Sequence, residues 1–142
     1  MKSFSMRAGI LLASLFVFSF SLFVNPFPAL AKELTILTAF GTSDMEAGKS
    51  LTAIKTAYEK NGDTVIWAYS SNIIRAKLNK EKQVVYSVTE ALDFAAENGY
   101  KDVKIQSLHV VPAEEYMKIC RLISRYMESK GENFNSVTMG HP

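Results

Sequence analysis

Short apolar, β-branched runs alternate with longer segments of helical periodicity between residues 33 and 139. This alternation constrains the fold most, because strands separated by helices pair in parallel and each helix returns the chain across a face of the sheet. The pattern therefore predicts a three-layer α/β/α domain with a four-stranded parallel sheet. The predicted strands are residues 33–40, 64–68, 102–111 and 134–139, and the predicted helices are residues 44–60, a segment carrying Ile73, Ile74 and Leu78, residues 90–97 and residues 112–130.

The first 31 residues have the pattern of a secretory signal peptide. Lys2 and Arg7 precede an apolar run over residues 8–24, and Ala-Leu-Ala ending at Ala31 supplies a small-x-small cleavage site. An uncleaved membrane anchor is the alternative, although a run of roughly 17 residues is at the lower limit for spanning a bilayer. We expect cleavage after Ala31 and an exported, for example periplasmic, domain formed by residues 32–142.

Charge and cysteine content exclude several classes of partner and site. Of the 16 basic side chains, Lys2 and Arg7 lie in the predicted signal peptide, and the remaining 14 balance the 14 acidic ones. A neutral domain lacks the concentrated positive charge that binding to nucleic acid or an anionic membrane surface needs. A single cysteine, Cys120, excludes an internal disulfide framework and a zinc site built from thiolates. We expect no nucleic-acid partner and, after signal cleavage, no membrane association.

Ligands of open parallel sheets bind outside the carboxyl ends of the strands, so the segments that follow the predicted strands are the candidate site. Phe40 ends the first predicted strand, and Gly41, Thr42 and Ser43 follow it. Backbone N–H groups in such a turn before a helix can receive a carboxylate or a phosphate. A plain capped turn explains the same residues equally well, because the segment lacks the glycines of a dinucleotide fingerprint and the lysine of a P-loop.

A histidine near the end of the third predicted strand is followed by a pair of acids at the start of the next helix. His109 leaves that strand, and Glu114 and Glu115 open the next helix, so an imidazole and carboxylates reach the same edge of the sheet. This combination predicts a divalent metal site or an acid–base pair. The helix dipole alone also favours acids in a first turn, so a structural role remains the alternative for both glutamates. His141 lies one residue from the end of the sequence, where ligands are held poorly.

Four ordered segments resemble the sirohydrochlorin cobaltochelatases of the anaerobic cobalamin pathway, class II chelatases of which an exported form exists. The segments are LTAFGTS at 37–43, AYSSNIIRAKL at 68–78, TEALDFAAENGYKDVKIQSLHVVPAEEY at 89–116 and VTMGHP at 137–142. The family's motifs at these places are SFGTS, AFTSxxIxxKL, TPxEALxxLxxxGYxxVxxQxLHIIxGEEY and LGxPLL. The resemblance covers nearly all of residues 34–142. It implies the N-terminal half of a chelatase fold, in which a tetrapyrrole lies between two similar α/β halves.

The resemblance also implies substrates and roles. The substrates are a sirohydrochlorin-like tetrapyrrole and Co²⁺, with Fe²⁺ as a second metal, and no cofactor is tightly bound. The last acid of the GEEY motif falls on Glu115 and the histidine of LHII on His109, and both are expected to be catalytic and metal-binding. Ala113 replaces the usual glycine before the two acids. The expected substrate-binding residues are Phe40, Gly41, Thr42, Ser43, Ser70 and Ser71.

The family's two metal-binding histidines belong to its second half, in motifs of the MGHG and GDH types, and neither motif occurs in this sequence. Met139-Gly140-His141 is similar to the first motif, but its position after the fourth strand fits LGxPLL, so His141 receives no catalytic role. Four interpretations follow. Two copies pair as a homodimer, another chain supplies a complementary half, the domain is a non-catalytic exported module that binds tetrapyrrole or metal, or it is an inactive truncated chelatase.

Overall fold

The computed structural model describes residues 32–142, and the signal peptide predicted for residues 1–31 lies outside the described residues. The four strands pair in parallel in the order β2-β1-β3-β4, which confirms the predicted α/β fold. No helix within residues 32–142 combines the length and the apolar composition needed to cross a membrane. The elements in chain order are β1 (Glu33–Ala39), α1 (Met45–Lys60), β2 (Val65–Tyr69), α2 (Asn72–Lys80), α3 (Val88–Glu97), β3 (Asp102–Ser107), α4 (Glu114–Lys130) and β4 (Ser136–Met139).

Helices cover both faces of the sheet, as expected for three layers. On one face, Ile36 of β1 and Ile105 of β3 pack against Leu92 of α3 and Ile119 of α4, and all four are fully or almost fully buried. We call this side the α3/α4 face. On the α1/α2 face, Leu51 of α1 and Leu78 and Ile74 of α2 pack with Tyr69 and Ala39. Burial of these apolar side chains holds the layers together.

Side chains cap three of the helices. Asp44 accepts the N–H of Ala47 at 2.9 Å at the start of α1. Ser71 caps α2, and Ser87 forms a capping box with Glu90 at the start of α3. Hydrogen bonds from the backbone and side chain of Ser87 hold the pKa of Glu90 below its usual range. These caps place α1 and α2 directly after the carboxyl ends of β1 and β2.

The boundary between β3 and α4 differs from the prediction. β3 ends at Ser107, and α4 begins at Glu114, so the strand is shorter and the helix starts later than predicted. The β-branched residues 110–111 favour a strand, but the backbone N–H of His109 donates to Ser107 Oγ at 3.2 Å and leaves the ladder. Residues 108–113 therefore form a loop at the carboxyl edge of the sheet.

A polar contact joins α3 to α4. Asp93 Oδ1 accepts hydrogen bonds from the Lys130 ammonium at 2.7 Å and from the Tyr126 hydroxyl at 2.9 Å. The hydrogen bond from Lys130, assisted by that from Tyr126, lowers the pKa of Asp93. Burial, followed by the interaction with Asp93, raises the pKa of Tyr126.

Asp93→Asn should lower the free energy of unfolding by about 1 kcal/mol at neutral pH, because a neutral amide is a weaker acceptor for Lys130 in this partly exposed pair. A carboxyl group whose pKa is lowered by folding stabilises the fold above its unfolded pKa of about 3.9 and loses that contribution as the pH falls through the folded pKa. Urea unfolding in neutral and acidic buffer should therefore show a difference that shrinks in acid. Glu128→Gln, at an exposed acid of α4, is the control and should change stability little. A difference of equal size in both buffers would contradict this role for Asp93.

Candidate functional site

The carboxyl ends of the three strands β1, β2 and β3 lie side by side. The Ser70 N–H donates to the Ala39 carbonyl at 2.9 Å, and the Leu108 N–H donates to the Thr38 carbonyl at 2.8 Å. Pairing therefore continues just past the ends of β2 and β3. The segments that the sequence assigned to the site consequently leave the sheet from one common edge.

Four buried side-chain atoms at this edge have no hydrogen-bond partner within residues 32–142. Folded proteins pair roughly 90% or more of their buried polar groups, and leaving one unpaired costs about 1–3 kcal/mol. Four such atoms close to the ends of neighbouring strands make this edge the candidate functional site. We call the four side chains the polar edge cluster: Thr38 Oγ1, Ser70 Oγ, His109 Nε2 and Glu115 Oε2.

Two contacts with Ser107 hold His109 in place. Ser107 Oγ lies 3.0 Å from His109 Nδ1, and the same oxygen accepts the backbone N–H of His109 at 3.2 Å. Ser107 is only 4% exposed, so both contacts are shielded from water. The second ring nitrogen, Nε2, is the polar atom that His109 leaves for another group.

The two acids at the start of α4 differ in their surroundings. Glu114 is exposed and pairs with Arg121, with 3.0 Å between Oε1 and Nη2. Glu115 Oε2 is buried and has no partner among the described residues. The helix dipole and a surface ion pair account for Glu114, whereas an unpaired buried oxygen at Glu115 requires a cation or a hydrogen-bond donor that these residues do not supply.

His109 and Glu115 lie on the same side of the sheet. Ser107 follows Ile105 at the two-residue spacing of a strand, so the side chains of Ser107 and Ile105 both point to the α3/α4 face. Ile119 of α4 packs on that face. His109 is held to Ser107, and Glu115 lies in the first turn of α4. The two side chains form no direct hydrogen bond, and residues 32–142 contain no cluster of three or more His, Cys, Asp or Glu that could hold a metal ion.

The loop after β1 uses its hydroxyl groups locally. Thr42 Oγ1 accepts the N–H of Asp44 at 3.0 Å, and Ser43 Oγ accepts a hydrogen bond from Lys77 Nζ at 3.2 Å. The backbone N–H groups of residues 41–43 donate no hydrogen bond within residues 32–142. The backbone N–H groups of this turn, and not its hydroxyl groups, therefore remain for the predicted role of receiving an anion.

The two serines after β2 also differ. Ser71 Oγ accepts the N–H of Ile74 at 3.4 Å as the cap of α2, whereas Ser70 Oγ is one of the unpartnered atoms. Arg75 donates to the Tyr69 carbonyl at 2.7 Å and fixes the end of β2 beneath them. Of the two serines, Ser70 is the one whose buried hydroxyl has no partner among the described residues.

Exposed apolar side chains lie at the same edge as the polar edge cluster. Phe40 is 53% exposed after β1, and Val110 is 93% exposed after β3. Ile73 and Met117 are exposed in the first turns of α2 and α4, and Val111 is exposed beside Val110. We call these five residues the apolar rim. Exposed apolar side chains at one edge are candidates for contact with a ligand or a protein partner.

A cavity of about 660 Å³ lies on the other side of this loop region, against the α1/α2 face. Its lining includes Thr42, Trp67, Tyr69 and Val84 and includes neither His109 nor Glu115. Burial raises the pKa of the Tyr69 phenol, which stays protonated. The polar edge cluster is thus separate from this cavity.

Sequence reasoning missed two members of the site, Thr38 and Ser107. Each occupies an inward-facing position near the end of its strand, in line with Ile36 and Ile105 respectively, where the alternating pattern calls for an apolar residue. A polar residue at such a position is the signal that could have identified them. His141 is exposed.

Comparison with known proteins gives consistent results. The family model described as cobalt chelatase (CbiK) matches residues 33–142. Sirohydrochlorin cobaltochelatase CbiKC of Nitratidesulfovibrio vulgaris is 28% identical over 115 residues, which cover 80% of this chain and 40% of that protein. Sirohydrochlorin cobaltochelatase of Salmonella typhimurium is 34% identical over 76 residues, which cover 53% of this chain and 27% of that protein. The chain therefore spans less than half the length of these two curated relatives.

Proposed function

The chain belongs to the cobalt chelatase (CbiK) family, and we propose that it takes part in inserting Co²⁺ into a sirohydrochlorin-like tetrapyrrole. The observation that carries this proposal is the polar edge cluster, with four unpartnered polar atoms at the edge where the apolar rim is exposed. A planar macrocycle offers an apolar face to such a rim and a polar centre to such a cluster. Fe²⁺ would also suit a carboxylate beside an imidazole.

We assign Glu115 to the reacting centre. Metal insertion requires that the ion be held on one face of the ring while two pyrrole N–H protons leave. A carboxylate with one buried, unpartnered oxygen is suited to hold the metal substrate and to accept such a proton. His109 belongs to the same centre. Imidazole can act there as a ligand through an unprotonated nitrogen or as a donor through a protonated one, and its own hydrogen bonds decide between these roles.

The turn after β1 is assigned to the periphery of the tetrapyrrole. The free backbone N–H groups of residues 41–43 suit the carboxylate side chains of such a ring, since adjacent amides before a helix attract anions. Phe40 and Ser70 lie next to this turn, one exposed and apolar and the other with a free hydroxyl. Together they would hold the edge of the ring against the wall.

We propose that a second copy of the chain supplies the opposite wall. An apolar rim that includes Val110 at 93% exposure is costly in water, and a two-fold dimer would bury it and face two Glu115 side chains across one ligand. A complementary chelatase half bound to the same rim is the other arrangement, and it would give a one-to-one mixed complex. Sedimentation of the purified protein distinguishes the two.

Val110→Asp should weaken the dimer about tenfold or more, because burying a valine contributes roughly 1.5–3 kcal/mol and a buried unpaired carboxylate adds a further cost. Sedimentation equilibrium over a concentration series measures the dissociation constant. Val84→Asp is the matched control, since Val84 is 72% exposed but lies in the segment between α2 and α3, which contributes no residue to the rim. A wild-type protein that stays monomeric at high concentration, or equal effects of the two variants, would contradict the dimer.

Cobalt insertion into sirohydrochlorin, followed by the change in absorbance, tests the activity itself. Turnover supports a chelatase. Tight tetrapyrrole binding without turnover would instead favour a non-catalytic binding module, and neither binding nor turnover would favour an inactive chelatase.

The place of action that we propose is outside the cytoplasm, on the basis of the pattern of residues 1–31. Cell fractionation and the mass of the secreted protein test this, with Lys32 expected as its first residue. Recovery of the uncleaved chain in the cytoplasm would contradict it.

A further inference from the structure

The hydroxyl group of Ser107 constrains which ring nitrogen of His109 carries the proton. Within residues 32–142, Ser107 Oγ has two polar contacts, the backbone N–H of His109 at 3.2 Å and the ring atom Nδ1 at 3.0 Å. A backbone N–H can only donate, so Oγ accepts in the first contact. The hydroxyl proton of this 4% exposed serine then needs an acceptor of its own.

The two neutral tautomers of His109 satisfy that requirement differently. With the proton on Nδ1, the ring would also donate to Oγ, and the buried hydroxyl proton would have no acceptor among the described residues, at a cost of about 1–3 kcal/mol. With Nδ1 unprotonated, the hydroxyl donates to Nδ1 and every group in the contact is paired. The proton of the neutral ring then resides on Nε2.

We infer that Ser107 is a positioning residue that holds His109 as the Nε2–H tautomer, so that His109 serves the site as a hydrogen-bond donor to a carboxylate and not as a metal ligand. A protonated Nε2 has no lone pair to offer a metal ion. The tautomer stands on the Ser107 contacts alone, whereas the carboxylate acceptor rests on the proposed function.

Two carboxylates are candidate acceptors for the hydrogen bond from His109. One belongs to Glu115, whose Oε2 is buried, unpartnered and on the same side of the sheet as His109. The other would be a peripheral acid of the tetrapyrrole. In the first case His109 orients the carboxylate that meets the metal, as a hydrogen-bonding partner of a metal ligand commonly does. In the second case His109 favours tetrapyrroles that carry carboxylate groups at their periphery.

Nitrogen NMR of the full chain labelled with ¹⁵N-histidine tests the tautomer directly, because the two ring nitrogens of a neutral imidazole give well separated signals. The sequence has two histidines, so His109→Gln assigns the signals, and His141→Gln is the matched control. We expect a protonated Nε2 in the wild type, a mixture of tautomers in Ser107→Ala, and recovery of the wild-type pattern in Ser107→Thr. A proton on Nδ1 in the wild type, or an unchanged pattern in Ser107→Ala, would overturn the inference.

Titrations with Zn²⁺ and with sirohydrochlorin show whether His109 is a hydrogen-bond donor or a metal ligand, and which carboxylate accepts its hydrogen bond. Zn²⁺, used as a diamagnetic probe without tetrapyrrole, should leave the proton on Nε2. Displacement of this proton by Zn²⁺ would overturn the donor role.

If Glu115 is the acceptor, His109→Leu weakens Zn²⁺ binding about tenfold, and His109→Gln, which keeps an N–H donor, weakens it less. If the tetrapyrrole is the acceptor, the same order of variants appears in sirohydrochlorin binding without metal. No effect in either titration would overturn the donor role. A wild-type protein that neither binds nor metallates sirohydrochlorin but keeps the Nε2–H pattern would refute the proposed function and leave the tautomer standing.

Discussion

On the proposed function, Glu115→Gln should lower the rate of Co²⁺ insertion by about a hundredfold or more, the range typical of removing a general acid or base. Glutamine keeps the size and shape of the side chain but can neither accept a pyrrole proton nor neutralise a metal ion. Because Glu115 makes no hydrogen bond through Oε2 within residues 32–142, thermal unfolding should change little. The measurement is the initial rate of the absorbance change, together with the melting temperature.

Glu114→Gln is the matched control for that experiment. It removes the same charge one residue away, from a side chain that pairs with Arg121 on the surface. Exposed ion pairs contribute about 0–1 kcal/mol, so both activity and stability should stay close to those of the wild type. Equal losses in the two variants would show that the net charge of this helix terminus matters, and not the position of the Glu115 carboxylate.

Gly41→Ala should destabilise the fold by about 2–4 kcal/mol. Gly41 has a φ of +96°, which an alanine adopts at a cost of about 1 kcal/mol, and an added Cβ would overlap Cδ2 of the Tyr69 ring. The ring or the turn must therefore move. Since this turn precedes α1 at the carboxyl edge, tetrapyrrole binding should weaken as well. Urea unfolding measures the first effect and absorbance titration with sirohydrochlorin the second.

Gly62→Ala separates the two contributions to that loss. Gly62 has a similar φ of +91°, but an added Cβ there meets nothing within 4 Å. This variant should therefore lose only the conformational part, about 1 kcal/mol. The excess loss in Gly41→Ala measures the contact with Tyr69, and equal losses would mean that the turn after β1 is not fixed by that ring.

The order of strands and helices was predictable because periodicity and caps agree along this chain. Asp44 and Ser71 are of residue types that favour helix N-caps, and they cap α1 and α2 in the structure. The end of β3 was not predictable from periodicity, because a side chain decides it. Ser107 takes the backbone N–H of His109 out of the ladder, although the valines that follow favour a strand.

The candidate site was predictable in its location and less so in its detail. Parallel pairing alone brings the segments after β1, β2 and β3 to one edge, which is why His109 and Ser70 were assigned to it. Which of two adjacent acids turns inward depends on the angle at which α4 leaves the loop, and Glu115 is inward while Glu114 faces solvent. The role of Ser107 arises from a contact that adjacency in sequence does not reveal.

On the proposed function, the carboxyl edge of this sheet, with the polar edge cluster and the apolar rim, binds the tetrapyrrole. Titrating sirohydrochlorin into the ¹⁵N-labelled protein and following the backbone amide signals shows where the ligand binds. We expect saturable shifts in residues 40–43, 70–71 and 108–116. Shifts confined to the lining of the cavity on the α1/α2 face, which includes Thr42, Ser43, Trp67 and Val84, or no shifts at saturating ligand would mean that the ligand does not bind at this edge.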